Sequence, residues 1–597
     1  MTLAAPPAAL TGPPVATRVA AHLLHLLGDP DTHTVACTVD WTGPLDLAPA
    51  LAAPSATAHA ADLAPPLALT EERAVQAACG IMHVHGLATG RPAPLAVDFA
   101  TTVAGVLAAQ GVSAALIARV RGGRAGGVRT SVTQAALLAL TQYLAAASAA
   151  AEEPVAASDA SATVEAPRGG AGFVSADGVR VELEALDAES WIAFWRELGA
   201  PADAVRHGWR PFQARFGTAV CPLPAALADA VRTVPLARLR VAADRSGASL
   251  LPVREDPLPP GAPPPWTLTP LPGPATATPT PARPGADVPG THLPLAGLRV
   301  VESTRRVQGP LAGHVLRLLG AEVVRVEPPG GDPMRGIPPL TQGCSARFGA
   351  LNAGKDVVEI DITTSSGRRA VCELVRDADV FLHNWAPGKA ARLGLDADEL
   401  GRVRPGLVYA WASGWGDALG PRPPVGTDYL VQAHSGLAAA VRPEDEPPAP
   451  SLMTLTDVLG GLVSAQAVLA ALLARLRTGH GRRADSSLLS AAAVVPREPR
   501  RARWGVLDRP LAALDGHLWL DPEGRARPER IARALGVHRA ADPAALAASA
   551  RRRPTAELLP LLAAAGTRAT PVCTDLAGLA HDPRFAPVLA RAPWEFV

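Results

Sequence analysis

The sequence predicts an α/β fold: a doubly wound parallel sheet with small α+β domains and an internal partial duplication. Between residues 294 and 425, apolar β-branched runs such as LRVVES and AEVVRVE alternate with amphipathic helices, the pattern of a parallel sheet covered by helices on both faces. Two other blocks of sequence recur along the chain, which indicates a duplication. We expect the N-terminal half to be a partial copy that lacks the α/β layer.

The first repeat keeps a single spacing over its whole length. The motif AVQAACG begins at residue 74 and recurs as LVQAHSG from residue 430, an offset of 356 residues. The same offset aligns AAQGVSAALIARVR (108–121) with SAQAVLAALLARLR (464–477) without a gap. It also aligns Thr101 with Asp457, an acid in the first turn of a long apolar helix.

The second repeat indicates two small domains. PLARLRVAADRSGASLLPV (235–253) resembles PTAELLPLLAAAGTRATPV (554–572), and each copy follows a DG turn, a strand and a helix. Between the two halves lies a segment rich in Pro and Thr, a composition that favours an extended tether outside any core. The predicted division is a degenerate helical part at 1–145, a small domain at 171–253, the linker at 254–291, a large domain with the acid at 292–495, and a second small domain at 513–597.

Composition narrows the classes of partner and compartment. A net charge of +1 gives no reason to expect nucleic acid or an acidic membrane as a partner. The six cysteines lack CxxC spacing and the histidines are scattered, so we expect reduced thiols, no disulfide framework and no metal site. The first residues lack the basic region of a signal peptide, and the long apolar helices carry Arg and Gln. We therefore expect a soluble cytoplasmic protein.

Basic residues and a tryptophan follow predicted strands of the large domain. Lys355 lies on the turn NAGK, and Asn384, Trp385, Lys389 and Arg392 occur in HNWAPGKAARLG, just after a strand. Open α/β sheets bind ligands at the carboxyl ends of their strands. Each basic residue taken alone also fits a solvated surface, but together they suit a phosphorylated, adenine-bearing ligand.

Asp457 has two interpretations at this point. An acid in the first helical turn stabilises the unpaired N–H groups and meets the positive end of the helix dipole. Thr is also a good cap, so the aligned Thr101 would serve that purpose equally well. A carboxylate beside an apolar helix, with Gly460 and Gly461 leaving room for a ligand, also fits covalent acyl transfer. Both interpretations stand on the residues alone.

The second half resembles the class III CoA-transferase family, which includes formyl-CoA transferase, carnitine CoA-transferase and 2-methylacyl-CoA racemase. The motifs that carry the resemblance occur in family order: LPLAGLRVVEST, GPLAGHVLRLLGAEVVRVE, NAGK, HNWAPG, PGLVYAWASGWG and LTDVLGG. The resemblance implies that Asp457 attacks an acyl-CoA and becomes an aspartyl-CoA thioester. It also implies that N–H groups at Gly460 or Gly461 stabilise the oxyanion.

The resemblance also implies partners. Coenzyme A or acyl-CoA is a substrate rather than a permanently bound cofactor, and a carboxylic acid accepts the CoA. Family members are interlocked dimers, so we expect either a pseudo-dimer within one chain or a homodimer. The residues that match the family's CoA site are Val307, Gln308, Lys355, Asn384, Trp385 and Arg392.

Two alternatives to CoA transfer remain. The chain is a non-catalytic protein that binds CoA esters or acts as a scaffold if Asp457 forms no adduct. A 2-methylacyl-CoA racemase or isomerase is disfavoured, because Thr427 occupies the position of that branch's catalytic histidine.

Overall fold

A computed structural model describes residues 9–28, 34–42, 67, 69–123, 126–152, 172–273, 293–537, 542–589 and 591–597. Strands and helices are numbered along the chain. The strands are β1 (Leu10–Thr11), β2 (Ala36–Asp40), β3 (Gly127–Ser131), β4 (Phe173–Val174), β5 (Arg180–Glu184), β6 (Ser249–Pro252), β7 (Trp266–Pro270), β8 (Arg299–Ser303), β9 (Glu322–Glu327), β10 (Leu340–Thr341), β11 (Cys344–Ser345), β12 (Asp356–Glu359), β13 (Val380–His383), β14 (Val408–Ser413), β15 (Arg482–Ser487), β16 (Leu511–Ala512), β17 (His517–Leu520), β18 (Ala569–Pro571) and β19 (Glu595–Phe596).

The helices follow the same numbering. They are α1 (Pro14–His25), α2 (Glu72–Ala78), α3 (Ile81–Gly86), α4 (Phe99–Val120), α5 (Val132–Ala139), α6 (Thr141–Glu152), α7 (Ala188–Glu197), α8 (Ala202–Thr218), α9 (Ala225–Arg232), α10 (Leu236–Ser246), α11 (Gln308–Leu318), α12 (Ala346–Asn352), α13 (Ser365–Arg376), α14 (Lys389–Leu393), α15 (Ala397–Val403), α16 (Asp428–His434), α17 (Leu437–Ala440), α18 (Leu455–Thr478), α19 (Leu488–Ala492), α20 (Pro522–Ala526), α21 (Pro528–Leu535), α22 (Pro543–Ala550), α23 (Thr555–Ala564), α24 (Leu576–His581) and α25 (Ala586–Leu589).

The large sheet confirms the predicted doubly wound α/β fold. Its strand order is β12-β9-β8-β13-β14-β15-β7, and every neighbouring pair is parallel except β15 with β7. Successive residues of a strand face opposite sides of a sheet. Val300 accordingly belongs to the core that contains α11 and α18, whereas Val301 packs in the core of α13 and α15. Because both faces are covered, the strands read as continuous apolar runs.

The expected linker takes part in this sheet. Within the predicted 254–291 segment, residues 266–270 form β7 and pair antiparallel with β15, with Trp266 opposite Ser486. Composition favoured an extended chain here, and the chain is extended, but it lies against the sheet edge instead of outside the core. The side chain of Trp266 is buried there. Residues 274–291 lie outside the described residues.

The N-terminal half retains a small α/β layer, contrary to the expectation that it had lost one. Strands β1, β2 and β3 are parallel neighbours, and β19 from the far end of the chain adds antiparallel to β3. Ser131 caps the helix after β3, and Ser487, at the offset of 356, caps the helix after β15. The strands were missed because they are short and separated by long stretches without β-branched runs.

Helices α4 and α18, the two copies of the repeated helix, pack against each other in the centre of the molecule. Gln110 Nε2 donates to the carbonyl of Leu462 over 2.7 Å, and Gln466 Nε2 donates to Ser113 Oγ over 2.9 Å. Gln110 and Gln466 are themselves aligned by the same offset. By length and composition both helices could cross a membrane, but 83% and 89% of their most apolar windows are buried inside the protein, as in core helices.

Each small domain is a three-stranded antiparallel sheet with helices, and each packs on the opposite half of the chain. The first, β4-β5-β6, lies against α16 of the second half. The other, β16-β17-β18, lies against α2 of the first half. The last described residues leave this second domain, because Glu595 pairs with Arg129 of β3. The halves are therefore interlocked within one chain.

Candidate active site

A cavity of about 680 Å3 opens at the carboxyl ends of β8, β13 and β14. Its lining includes Thr304 after β8, Asn384 after β13 and Gly414 after β14. Asp457, from the first turn of α18, also lines it. The cavity thus lies where parallel α/β sheets bind their ligands.

Asp457 does not cap its own helix. Its backbone N–H donates to Asp428 Oδ2 over 2.8 Å, and the Thr456 hydroxyl donates to the same oxygen over 2.8 Å. Gln432 Nε2 donates to the other oxygen of Asp428. Asp428, at the start of α16, is 3% exposed and takes over the capping of α18. In the described part of the chain no donor binds the Asp457 carboxylate oxygens, which face the cavity.

The aligned site in the first half has the same support. Glu72 corresponds to Asp428 at the offset of 356, and its carboxylate accepts hydrogen bonds from the N–H groups of Ala100 and Thr101 over 2.9 and 2.8 Å. The Thr101 hydroxyl donates to Glu72 Oε2 over 2.8 Å. Our expectation that Thr101 serves as the cap was wrong, since Glu72 does so. Neither helix needs an acid at the aligned position, which leaves Asp457 available for chemistry.

The two neighbouring acids, Asp428 and the partly buried Asp457, differ in how readily they ionise. Burial raises the pKa of Asp457, the neighbouring charges of Asp428 and Glu184 raise it further, and Arg306 opposes them. Burial also raises the pKa of Asp428, but hydrogen bonds from Asp457, Gln432 and Thr456 oppose that rise. Since donors stabilise the ionised form of Asp428, that carboxyl ionises more readily than the carboxyl of Asp457.

The first small domain completes the cavity. Leu186, just after β5, lines it and is 46% exposed. The neighbouring Glu184 forms a buried ion pair of 3.1 Å with Arg215, whose guanidinium lies 4.9 Å from the ring centre of Tyr429 in α16. Sequence reasoning missed Leu186, because nothing in its local pattern indicates which distant helix the small domain covers.

Three of the residues assigned to a CoA site line the cavity. They are Gln308, Asn384 and Trp385. The Asn384 amide holds the turn after β8, since its Oδ1 accepts from the N–H of Arg305 over 2.9 Å and its Nδ2 donates to the carbonyl of Arg305 over 2.8 Å. Gln308 Nε2 donates to the carbonyl of Ser413 over 3.1 Å.

The other three residues assigned to a CoA site, Val307, Lys355 and Arg392, lie outside the cavity lining. Val307 is 2% exposed and packs in the core at the start of α11. Lys355 is buried, and its Nζ donates to Glu302 Oε2 over 2.9 Å and to the carbonyl of Pro310 over 2.8 Å. These contacts turn Lys355 away from the cavity, where sequence reasoning had put it. Arg392 is exposed on α14, outside the cavity lining.

The two glycines of α18 serve packing and not oxyanion binding. A Cβ at Gly461 would meet the carbonyl oxygen of Gln308 at 2.7 Å, and one at Gly460 would meet Leu488 Cδ2 at 2.7 Å. Both positions lie inside α18, where backbone N–H groups are used by i→i−4 hydrogen bonds. They allow α11 and α19 to approach the helix, which corrects the role expected for them.

Sequence reasoning also missed two arginines of the cavity, Arg305 and Arg306. Both lie in the segment ESTRRVQGP between β8 and α11. The signal was present, because two adjacent cations stand in the first βα turn of a parallel sheet. The absence of a glycine-rich fingerprint had drawn attention away from them.

Comparisons with known proteins show what the chain is similar to. The model of CoA-transferase family III matches residues 71–256 and 295–498, together more than half of the chain. A match in two separate segments is consistent with a partial duplication.

Curated relatives match part of their own length. The chain is 35% identical to the succinate–glutarate CoA-transferase of Agrobacterium fabrum, over 35% of this chain and 54% of that one. It is 37% identical to the succinyl-CoA:glutarate CoA-transferase of Mus musculus, over 33% of this chain and 46% of that one. It is 36% identical to the acetyl-CoA:oxalate CoA-transferase of Acetobacter aceti, over 35% and 52%. The chain thus spans about half the length of these relatives.

Among solved structures, a CAIB/BAIF family protein from Brucella suis is 28% identical, with a TM-score of 0.46. The match covers 50% of this chain and 88% of that one.

Proposed function

Since this chain belongs to CoA-transferase family III, we propose that it moves CoA from an acyl-CoA to a carboxylic acid, with Asp457 as the nucleophile. The observation that carries the proposal is the position of Asp457. Its carboxylate faces the cavity at the carboxyl edge of the sheet, while Asp428 takes over the capping of its helix. A carboxylate that does not cap its helix and that lines a ligand cavity fits covalent catalysis.

The proposed reaction runs through acyl exchange on one carboxylate. Ionised Asp457 attacks the thioester carbonyl carbon, a C–O bond forms, the C–S bond breaks, and CoA thiolate leaves a mixed anhydride. The thiolate then attacks the carbonyl carbon of Asp457, which gives an aspartyl-CoA thioester and releases the donor acid. The acceptor carboxylate then attacks the carbonyl carbon of aspartyl-CoA and expels CoA thiolate, which gives a second mixed anhydride. The thiolate attacks the acyl carbon of the acceptor, so Asp457 is regenerated as a carboxylate and the acceptor leaves as its CoA thioester.

We propose that CoA lies along the edge formed by Gln308, Asn384 and Trp385. Three cations, Lys389, Arg305 and Arg392, lie near one another at this end of the cavity. Burial lowers the pKa of Lys389, and the positive charges of Arg305 and Arg392 lower it further. Such a cluster suits the phosphates of CoA. Arg392 contributes charge from outside the lining.

Val307 and Lys355 act on the site indirectly. In this proposal Lys355 fixes Glu302, which Arg325 also binds through Nη1 at 2.6 Å, and so holds the ends of β8 and β9 in place. Val307 packs the first turn of α11 into the core.

The names of the relatives concern dicarboxylic acids: glutarate in two cases and oxalate in another. We therefore propose a short dicarboxylic acid as the acceptor. A racemase reaction would need a base where Thr427 stands, and a threonine hydroxyl does not accept a proton near neutral pH.

The first test is covalent labelling. After incubation with succinyl-CoA and trapping with hydroxylamine, we expect a mass change on the peptide that contains Asp457, and none in Asp457→Asn. Thr101→Val is the matched control at the aligned position and should label like the wild type. Transfer of radiolabelled CoA to oxalate, succinate and glutarate measures turnover. A wild type that binds CoA but never labels Asp457 would favour the non-catalytic CoA-ester-binding alternative.

A further inference from the structure

Arg306 has an unusual backbone and an unused side chain. Its φ is 66°, in the left-handed region, which costs an L-residue about 1 kcal/mol. The exposed guanidinium lines the same cavity as Asp457. Within the described ranges it makes no hydrogen bond or ion pair. Strained backbone that serves no internal contact is typical of functional positions.

The charges around Asp457 indicate a role for the guanidinium of Arg306. Asp428 and Glu184 are the negative neighbours that act on Asp457, and Arg306 is the positive one. An acceptor acid brings a further negative charge to this acidic part of the cavity. A cation beside Asp457 offsets the repulsion, and a charge-assisted hydrogen bond to an oxygen of the acid is stronger than a neutral one.

Thr427 offers a second donor. It occupies the N-cap position of α16, but its hydroxyl makes no capping hydrogen bond. Threonine at this position normally accepts a bond from the first turn of its helix. Here the Oγ1 atom is buried without a hydrogen-bond partner among the described residues, and Thr427 lines the cavity. A buried hydroxyl without a partner is costly unless a ligand pairs with it.

Building on the proposed CoA transfer, we infer that Arg306 and Thr427 bind the carboxylate of the acceptor acid beside Asp457. The guanidinium N–H groups of Arg306 and the hydroxyl of Thr427 donate hydrogen bonds to one carboxylate oxygen of the acid. The other oxygen attacks the thioester carbonyl carbon of aspartyl-CoA, so a C–O bond forms while the C–S bond breaks and CoA thiolate leaves. The site thereby selects carboxylates over neutral acceptors such as alcohols.

The neighbouring arginine provides a matched control. Arg305 precedes Arg306 and lines the same cavity, but its backbone is held by Asn384 and its charge acts on Lys389. Arg305 therefore belongs to the CoA end of the cavity and Arg306 to the acid end. Loss of the Arg305 cation should weaken CoA binding, and loss of the Arg306 cation should weaken acid binding.

The experiment is calorimetric titration of glutarate into CoA-saturated protein, beside titration of CoA alone. Arg306→Gln should weaken glutarate binding by about 10- to 100-fold, the loss expected for a charge-assisted hydrogen bond, and leave CoA binding within about twofold. Arg305→Gln should show the opposite pattern. Thr427→Val should weaken glutarate binding by about tenfold, and Thr427→Ser should restore it.

A structural role for Arg306 is tested separately. Arg306→Gly removes the side chain and suits a left-handed backbone, so it should lose glutarate binding with a Tm no lower than the wild type. A large fall in Tm would show that the side chain supports the fold, and would overturn the inference.

Two further outcomes separate this inference from the proposed function. Glutarate binding that is unchanged in Arg306→Gln, or absent from the wild type, overturns the inference even when succinyl-CoA labels Asp457. Glutarate binding that depends on Arg306 in a wild type whose Asp457 is never labelled supports the acid site and removes the transferase proposal.

Discussion

At the scale of single residues, the division of labour between two acids decides what Asp457 does. Asp428 accepts hydrogen bonds from the backbone of Asp457, from Thr456 and from Gln432, so it holds charge in a buried place. Among the described residues no donor binds the Asp457 carboxylate, and burial raises its pKa. The nucleophile must ionise before it attacks, and that requirement makes the first half-reaction faster as pH rises through the raised pKa.

Removing the Asp457 charge should stabilise the fold at alkaline pH. The folded-state pKa of Asp457 lies above its unfolded value of about 3.9. Its contribution to stability is therefore complete below the unfolded pKa and is lost as pH rises through the folded one. We expect the Tm of inactive Asp457→Asn to exceed that of the wild type by a margin that grows from pH 5 to pH 9. Thermal unfolding at both pH values measures it, and a margin independent of pH would contradict the ionisation assigned here.

At the scale of elements, the site depends on how closely α11 and α18 meet. Gly461 lets α11 lie directly on α18, and the aligned Gly105 does the same for α1 on α4, where a Cβ would meet the carbonyl oxygen of Ala16 at 2.6 Å. Helix α1 therefore packs on α4 as α11 packs on α18. Close approach of α11 also brings the turn with Arg306 beside the first turn of α18.

Adding a methyl group at this crossing should disturb both stability and the site. Gly461→Ala forces a Cβ to 2.7 Å from the Gln308 carbonyl oxygen, and overpacking of this kind costs about 1–3 kcal/mol. The control is Gly349→Ala in α12, where a Cβ meets nothing within 4 Å and alanine favours the helix. Denaturant unfolding should show a loss for the first variant and none for the second. Equal stabilities of Gly461→Ala and Gly349→Ala would contradict a close contact between α11 and α18.

At the scale of the whole molecule, the described residues form a cavity around Asp457 and an altered copy of it around Thr101. A second cavity of about 480 Å3 surrounds Thr101 and is lined by Trp519 of the C-terminal small domain. The first small domain lines the Asp457 cavity in the same crossed manner through Leu186. We propose that the N-terminal half takes the place of a second subunit, so that one chain works as a pseudo-dimer with a single nucleophile.

The two halves should remain together after the chain is cut between them. A protease recognition sequence inserted between residues 274 and 291 leaves β7 paired with β15 across the cut, and leaves the buried Gln110 and Gln466 contacts of α4 and α18 intact. After cleavage, size-exclusion chromatography with light scattering should show one particle of the uncut mass. Replacing both glutamines by leucine is the control that weakens the contact. Fragments that separate freely without that change would sink the pseudo-dimer proposal.

The sequence by itself determined the family and the α/β class, because these depend on local pattern. It also predicted a partial duplication from a repeat of constant spacing, and the two matched segments are consistent with that prediction. The alignment with Thr101 drew attention to Asp457, and the resemblance to the family implied its role. The pattern could not show that Lys355 and Val307 point into the protein, since a turn and a helix start look the same whichever side a side chain faces. It also assigned Gly460 and Gly461 to a ligand when a neighbouring helix fills that space.

Only the tertiary structure decided which distant residues share the cavity. Asp428, which binds the backbone of Asp457, and Leu186 and Arg306, which line the same cavity, come from separate segments whose meeting depends on strand order and helix crossing. Hydrogen-bond partners and buried charges follow from that meeting. Sequence pattern therefore indicated what kind of chemistry the chain carries, and packing in three dimensions decided which side chain is free to perform it.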